Sequence, residues 1–390
     1  MITLIQGGEI LSPEPLGKKN ILILNDKIGA VFNPEDINIT GLEVHKVDAT
    51  GKFIAPGFVD SHVHILGGGG EGGPATRAPE IRIEDIIASG VTTLIGCLGT
   101  DGTTRHMESL LAKAKALEIE GISTYLFTGS YQVPVVTITG SVRSDIALID
   151  KIIGAGEIAI SDHRSSQPTF EEFARLASEC RVGGMLGGKA GVLHCHLGAG
   201  TRKLEMFFRL IEETEIPITQ VIPTHCNRNL SLLEEGIKYA KKGGYIDFTA
   251  GSDPGSENDV VVTIPRAIRA CQDKNAPLDR ITVSSDANGS LPIFDEEGNL
   301  KKLTVATEKS LLQNFKFLIT KDILPVEEAL KLFSTNPSKL YRLDHKGEIK
   351  EGKDADLIIL DQHYGLDGSF VRGQQMMSDG QLCVSGTFSS

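Results

Sequence analysis

What most restricts the fold of this chain is a rhythm. From Asp60 to about Leu340, apolar runs of strand length alternate with segments whose apolar residues recur at helical spacing. The runs include "VTTLIGCLGT", "GISTYLFTGS", "EIAISDHR", "GVLHCHLG", "ITQVIPTHCN", "GYIDFTAGSD" and "RITVSSDANGS". Between them stand stretches such as "HMESLLAKAKALEIEG", "TRKLEMFFRLIEET" and "LSLLEEGIKYAKKGG", several of which end in glycine, a common helix stop. Runs that alternate with helices read as parallel strands, covered on both faces. With "FVDSHVH" as the first, about eight strand-then-helix units are present, the number a (β/α)8 TIM barrel needs.

The texture differs at the two ends. "ITLIQGGEIL", "KNILILNDKIGAVF" and "HKVDATGKFIAPGFVD" are short strand patterns broken by turns, and the same pattern returns in "GEIKEGKDADLIILD" and "SFVRGQQMMSDGQLCVSG". The chain therefore reads as an α/β barrel over 57–344 inserted into one small β-sandwich domain, whose two parts are 1–56 and 345–390. A chain of 390 residues is long enough for both.

Charge and apolar patterning narrow the function. A formal net charge of −12 with no long basic run argues against a nucleic-acid binder, since phosphate contacts need clustered Lys and Arg. No stretch is apolar for the roughly 18 residues a membrane helix needs, and the N-terminus lacks a signal-like pattern, so a cytoplasmic location is expected. The six cysteines, Cys97, Cys180, Cys195, Cys226, Cys271 and Cys383, are scattered without a CxxC and read as reduced thiols.

Within the barrel runs, the reactive polar residues stand at the C-terminal ends: His62, His64, Glu157, His196, His225 and Asp286. Active sites of this architecture are built at that end, so residues from five different runs can converge on one pocket. His62 and His64 are two apart and point to the same side of a strand, while Val63 points away. Imidazoles and carboxylates are the usual zinc ligands, and four histidines with two carboxylates can hold two metals with a shared bridge. His194 forms a second HxH with His196 but lies deeper, and reads as a packing group or one that supports the ligands from behind. Cys195 and Cys226 face the core. Each of these groups taken alone is more often a hydrogen-bonded interior residue than a ligand; the convergence favours the site.

These residues resemble the amidohydrolase superfamily, whose barrel opens with "PGFVDSHVH" and whose last strand supplies a metal-binding Asp. More narrowly, "GGGGEGGPATR", "SYQVPVVTITGSV", "AISDHRSS", "PTHCNRN" and "SSDANGS" are similar to segments of the isoaspartyl dipeptidases, which hydrolyse β-aspartyl peptide bonds. The resemblance implies two Zn2+ per subunit, one held by His62, His64 and Asp286 and the other by His196 and His225. A hydroxide bridging them attacks the scissile carbonyl, Asp286 acts as general base and then general acid, and Tyr131 polarises the carbonyl. It further implies that Glu71 pairs with the substrate ammonium, that Arg164, Arg228 and Ser290 bind its carboxylates, and that Gly69 and Thr100 add donors. A small dipeptide substrate and a homo-oligomer follow from the same resemblance.

One position departs from that pattern. The bridging ligand in these enzymes is usually a lysine carboxylated on its amine, and the matching place holds Glu157. A carboxylate offers the same oxygen donors, so Glu157 is expected to bridge the metals, but its shorter side chain requires the strand or the metals to shift. Two further readings remain at this point: an amidohydrolase acting on another N-acyl or cyclic amide, and a noncatalytic scaffold of the same fold. Retention of the four histidines and Asp286 weighs against the scaffold. The segment "GSDPGSENDV" reads as a lid or a plain turn.

Overall fold

The computed structural model describes residues 1–36, 39–256, 261–294 and 300–389. Its centre is a set of eight strands: β1 (Phe58–Val63), β2 (Val91–Gly96), β3 (Ser123–Thr128), β4 (Ile152–Ile160), β5 (Val192–Leu197), β6 (Val221–Thr224), β7 (Ile246–Thr249) and β8 (Ile281–Ser284). A helix follows each, from Ile83–Ile87 after β1 to Lys309–Thr320 after β8. β1 to β6 pair in sequence order, all parallel, and β7 pairs with β8. The sheet curls: Cys226 N donates to the Asp247 carbonyl at 3.1 Å beyond β6, while Asp286 N reaches the His62 carbonyl at 3.1 Å and His64 N the Ala287 carbonyl at 2.9 Å. Those last two bonds carry the end of β8 to β1.

The physical reason is legible strand by strand. β1, β2 and β5 are buried at every residue, as strands lying between a packed interior and a helical layer must be. Three of these helices start where a side chain, of Ser141, Thr169 or Asn229, satisfies one of their first amides. Thr169 and Glu172 form a capping box on Phe170–Gly187, and the Asn229 side chain accepts from Leu232 N at the start of Leu230–Lys241.

Strands of the two terminal segments pair with one another. They form a single hydrogen-bonded sheet of nine strands where two facing sheets were expected. The ten-residue strand Ile2–Leu11 is long enough to pair with His45–Asp48 from Thr3 to Gln6 and with Phe53–Pro56 from Glu9 to Ile10, which keeps the ladder continuous. Phe53–Pro56 then pairs antiparallel with Leu357–Leu360, bringing in the C-terminal strands. Ile5, Ile10, Ile21, Ile54, Leu357 and Phe370 belong to an apolar cluster of their own, apart from the main core. A hairpin, Ser290–Phe294 with Leu300–Val305, follows β8 and was not foreseen.

Candidate metal centre and substrate pocket

The side chains that the strand ends carry meet around Glu157. Its Oε1 lies 3.4 Å from His64 Nε2, and its Oε2 lies 3.4 Å from His62 Nε2, 3.1 Å from His196 Nδ1 and 3.5 Å from His225 Nε2. Asp286 Oδ1 stands 3.1 Å from His64 Nε2 and 3.6 Å from His62 Nε2. All six residues named from the sequence are thus in one place, with Glu157 in the middle.

Local backbone explains how each arrives there. Against β5, Leu193 pairs with Ala155 but Cys195 pairs with Ile158, so β4 holds one extra residue at Gly156 and Glu157. Such a bulge re-aims a side chain, and here it carries the short carboxylate to the centre. His225 and Asp286 sit just past their strands in left-handed backbone, φ 60° and 55°, a conformation that non-glycine residues rarely adopt and that concentrates at functional sites. Gly289 is required by close approach: a Cβ there would fall 2.6 Å from Asp286 Oδ1.

Behind the centre, outer partners fix the rings. His62 Nδ1 is 2.8 Å from His194 Nε2, whose Nδ1 is 3.1 Å from the Tyr341 hydroxyl, so His194 does lie deeper. His225 Nδ1 is 2.6 Å from Thr249 Oγ1, and His196 Nε2 is 3.1 Å from Asp162 Oδ2. Partners of this kind set the tautomer and orientation of a ligating imidazole. Asp60 accepts from His62 N and from the Ser285 amide and hydroxyl, at the floor of the site.

The donor set fits divalent metal ions. His62 Nε2 is buried, faces the two carboxylates and has no hydrogen-bond partner, an arrangement that a cation would satisfy. Two overlapping groups have ligand atoms within 4.8 Å of one another: His62, His64, Cys97 and Glu157, and Glu157, His196 and His225. Burial alone would push the Glu157 carboxyl up, but the imidazoles of His62 and His196 outweigh it and hold it well below the usual range, as an ionised donor. Cys97 was not foreseen here: read from sequence, it was one of six scattered thiols.

Above the histidines and carboxylates lies a cavity of about 350 Å³ lined by Gly69, Glu71, Thr100, Tyr131, Arg164, Arg228 and Ser290, with His64, His196 and Asp286 at its base. Every substrate residue named from the sequence faces it. Glu71 accepts from Thr100 Oγ1 at 2.9 Å and Ser290 Oγ at 3.1 Å, and pairs with Arg164 Nη1 at 3.3 Å. Thr100 therefore serves Glu71 and caps no helix; the helix that follows begins after His106. Arg228 donates its Nε to the Leu197 carbonyl at 2.8 Å, and among the described residues no carboxylate pairs with its guanidinium. The Tyr131 hydroxyl is 2.8 Å from His196 Nδ1, and burial keeps it a phenol by pushing its pKa well up.

Two further residues organise this pocket and escaped the sequence reading. Asp162 receives Arg164 Nε at 3.0 Å and Nη2 at 2.9 Å, leaving Nη1 to face Glu71. Arg105, buried, donates to the carbonyls of Leu66 at 3.2 Å, Gly68 at 3.0 Å, Gly69 at 3.5 Å and Ala78 at 3.2 Å, and so holds the glycine run that presents Glu71. In that run Gly69 has φ 77° and a Cβ there would fall 2.4 Å from the Thr76 carbonyl; glycine closes the turn itself. Of the segment 251–260, residues 257–260 lie outside the described residues.

The match to known proteins agrees with this geometry. The Amidohydrolase family pattern covers residues 53–379, and the chain belongs to the amidohydrolase family, a metal-dependent hydrolase. Within it, the chain is similar to the solved β-aspartyl dipeptidase from the thermophilic keratin-degrading Fervidobacterium islandicum AW-1 in complex with β-Asp-Leu dipeptide, at 46% identity and a TM-score of 0.91 over 98% of both chains. A second structure of a β-aspartyl dipeptidase from that organism gives 44% and 0.90, with 98% of each chain covered. Among curated relatives, the dihydroorotase of Listeria monocytogenes serotype 4b is 24% identical over 426 residues, covering 97% of this chain and 95% of that one.

Proposed function

We propose that this chain hydrolyses β-aspartyl dipeptides, with two zinc ions held by His62, His64, His196, His225 and Asp286 and bridged by Glu157, on a closed (β/α)8 barrel spanning 57–344. The observation that carries the reading is the charge pattern of one cavity. An acid, Glu71, stands with two arginines, Arg164 and Arg228, directly over the metal-ligating side chains, and Arg228 has no acidic partner among the described residues. That pattern complements a dipeptide with one ammonium and two carboxylates.

When bound, divalent metal ions polarise the scissile carbonyl and bring the pKa of water to about 7. The chain's own groups do the rest. Asp286, at the base of the cavity and 3.1 Å from His64 Nε2, takes the proton of the attacking water and returns it to the departing amine. Tyr131 donates its phenol proton in a hydrogen bond to the carbonyl oxygen as charge builds there. Glu71 exchanges its Arg164 contact for the substrate ammonium, which frees Arg164 Nη1 for a carboxylate, while Arg228 takes the other. Thr100, Ser290 and the Gly69 backbone complete the polar lining.

The same reading divides the chain into the barrel and a β domain of 1–56 with 345–390, supported by their separate apolar clusters. It carries a cytoplasmic location, with which the six unpaired cysteines agree, and a homo-oligomer, which light scattering would measure. No helix among the described residues is long and apolar enough to cross a membrane. The dihydroorotase relative favours a second reading, a cyclic amide; such a substrate has no ammonium for Glu71. Assaying β-Asp-Leu, α-Asp-Leu and dihydroorotate with metal-replete protein separates them. Turnover of β-Asp-Leu alone is expected, and turnover of dihydroorotate alone overturns the dipeptide reading.

A further inference from the structure

Cys97 follows β2 directly, in "LIGCLGT", and is buried. Its Sγ lies 3.7 Å from the Val63 carbonyl and 4.0 Å from His64 Nδ1, beside the end of β1, which carries the HxH pair. Like the other barrel cysteines, Cys97 belongs to an apolar cluster, and the difference lies in what its sulfur meets. Cys195 Sγ faces the Leu193 carbonyl at 3.9 Å and Cys226 Sγ the Pro223 carbonyl at 3.4 Å, while Cys180 and Cys271 pack in the apolar core. Cys97 alone among them falls in a group with His62, His64 and Glu157 whose ligand atoms lie within 4.8 Å of one another.

A second observation points to the same space. His62 Nε2 is wholly buried and unpartnered, and its Nδ1 is already committed to His194, so the ring is aimed into this group by its own support. Zinc takes thiolate sulfur at about 2.3 Å and imidazole nitrogen at about 2.0 Å, and two such donors on a tetrahedral ion stand roughly 3.5 Å apart. One donor atom from each of Cys97, His62, His64 and Glu157 lies within 4.8 Å of the others, a span that one ion can draw together.

We propose that Cys97 is a ligand of the metal held by His62 and His64, supplying a thiolate that works with Glu157 to complete the centre. On binding, the S–H bond breaks, a sulfur–metal bond forms and the proton leaves to solvent. The inference rests on the metal centre of the proposed function but not on its substrate.

The test is spectroscopic. Protein stripped of metal and reloaded with Co2+ is expected to show visible bands of bound cobalt together with a near-ultraviolet sulfur-to-cobalt charge-transfer band. That band should be lost in both Cys97→Ser and Cys97→Ala, and kept in Cys195→Ala. Visible bands without charge transfer in the unaltered protein, or a band that survives both Cys97 substitutions, overturns the assignment. No substrate enters the measurement. Protein that shows the band yet leaves β-Asp-Leu intact keeps Cys97 as a ligand and loses the substrate reading, and the converse pair of results does the opposite.

Discussion

Glu157 tests the metal centre at the scale of one side chain. It approaches His62, His64, His196 and His225 with two oxygens, and among the described carboxylates it is the one paired with histidines of both halves of the site. Replacing it by alanine removes both donors and leaves buried imidazoles facing one another. Glu157→Ala is expected to lose at least one of two tightly held metals and about a hundredfold or more in kcat, roughly 2.7 kcal/mol of transition-state stabilisation. Metal analysis of the purified variant beside its kinetics checks this, and two tight zincs with full activity would sink the bridging role. His62, His64, His196, His225 and Asp286 could be read from sequence because each stands at the end of an apolar run, where the fold places functional groups. Asp162, Arg105 and Cys97 could not. Asp162 acts through Arg164, Arg105 through carbonyls that any residue could supply, and Cys97 ends an apolar run in which a thiol reads as one more small core residue.

Among the elements, the strand-and-helix alternation was legible because burial on both faces writes itself as continuous apolar sequence. What escaped was register and turn geometry. The extra residue in β4 leaves no compositional trace, and the nine-stranded terminal sheet depends on which half of Ile2–Leu11 each partner meets. The glycine run is the clearest case: its flexibility was evident, but not the guanidinium that fixes it. Arg105 donates to four carbonyls through a planar fork, and lysine cannot reproduce that geometry. Arg105→Lys is expected to raise KM for β-Asp-Leu about tenfold, because Glu71 is presented by this loop, and to destabilise by about 1–3 kcal/mol through unsatisfied carbonyls. Steady-state kinetics and thermal unfolding read the two effects; an unchanged KM would show that Glu71 is held without the loop.

For the whole molecule, two buried charges set conditions on stability. Burial, with the Asp60 carboxylate adding to it, pushes Glu308 from 4.5 up to about 8, and its Oε1 has no hydrogen-bond partner. A carboxyl whose folded pKa exceeds its unfolded one binds a proton more tightly when folded, so stability is full below about 4.5 and is lost as pH rises through about 8. The melting temperature should therefore fall between pH 5 and pH 8, and Glu308→Gln, which stays neutral, should fall less and melt higher at pH 8. Parallel pH profiles would contradict this.

Lys346 ties the two parts of the chain together from the other end of the barrel. Its buried ammonium reaches Asp356 at 2.6 Å, Asp354 at 2.8 Å and Ser123 Oγ at 2.7 Å, where Ser123 is the first residue of β3 and so lies at the opposite end from the metal-ligating side chains. Asp356 in turn accepts from the Arg372 backbone N–H, in the turn between the C-terminal strands Leu366–Val371 and Gln374–Ser378. Lys346→Met leaves the buried Asp356 without its cation, while Asp354 keeps Lys27, a loss of about 3–5 kcal/mol. The melting temperature of that variant should drop sharply while kcat/KM for β-Asp-Leu at 25 °C stays near that of the parent, because the elements that aim His62, Glu157 and Asp286 are fixed by their own strand pairing. A fall in kcat/KM with no fall in melting temperature would mean that the terminal sheet shapes the active face rather than holding up the barrel.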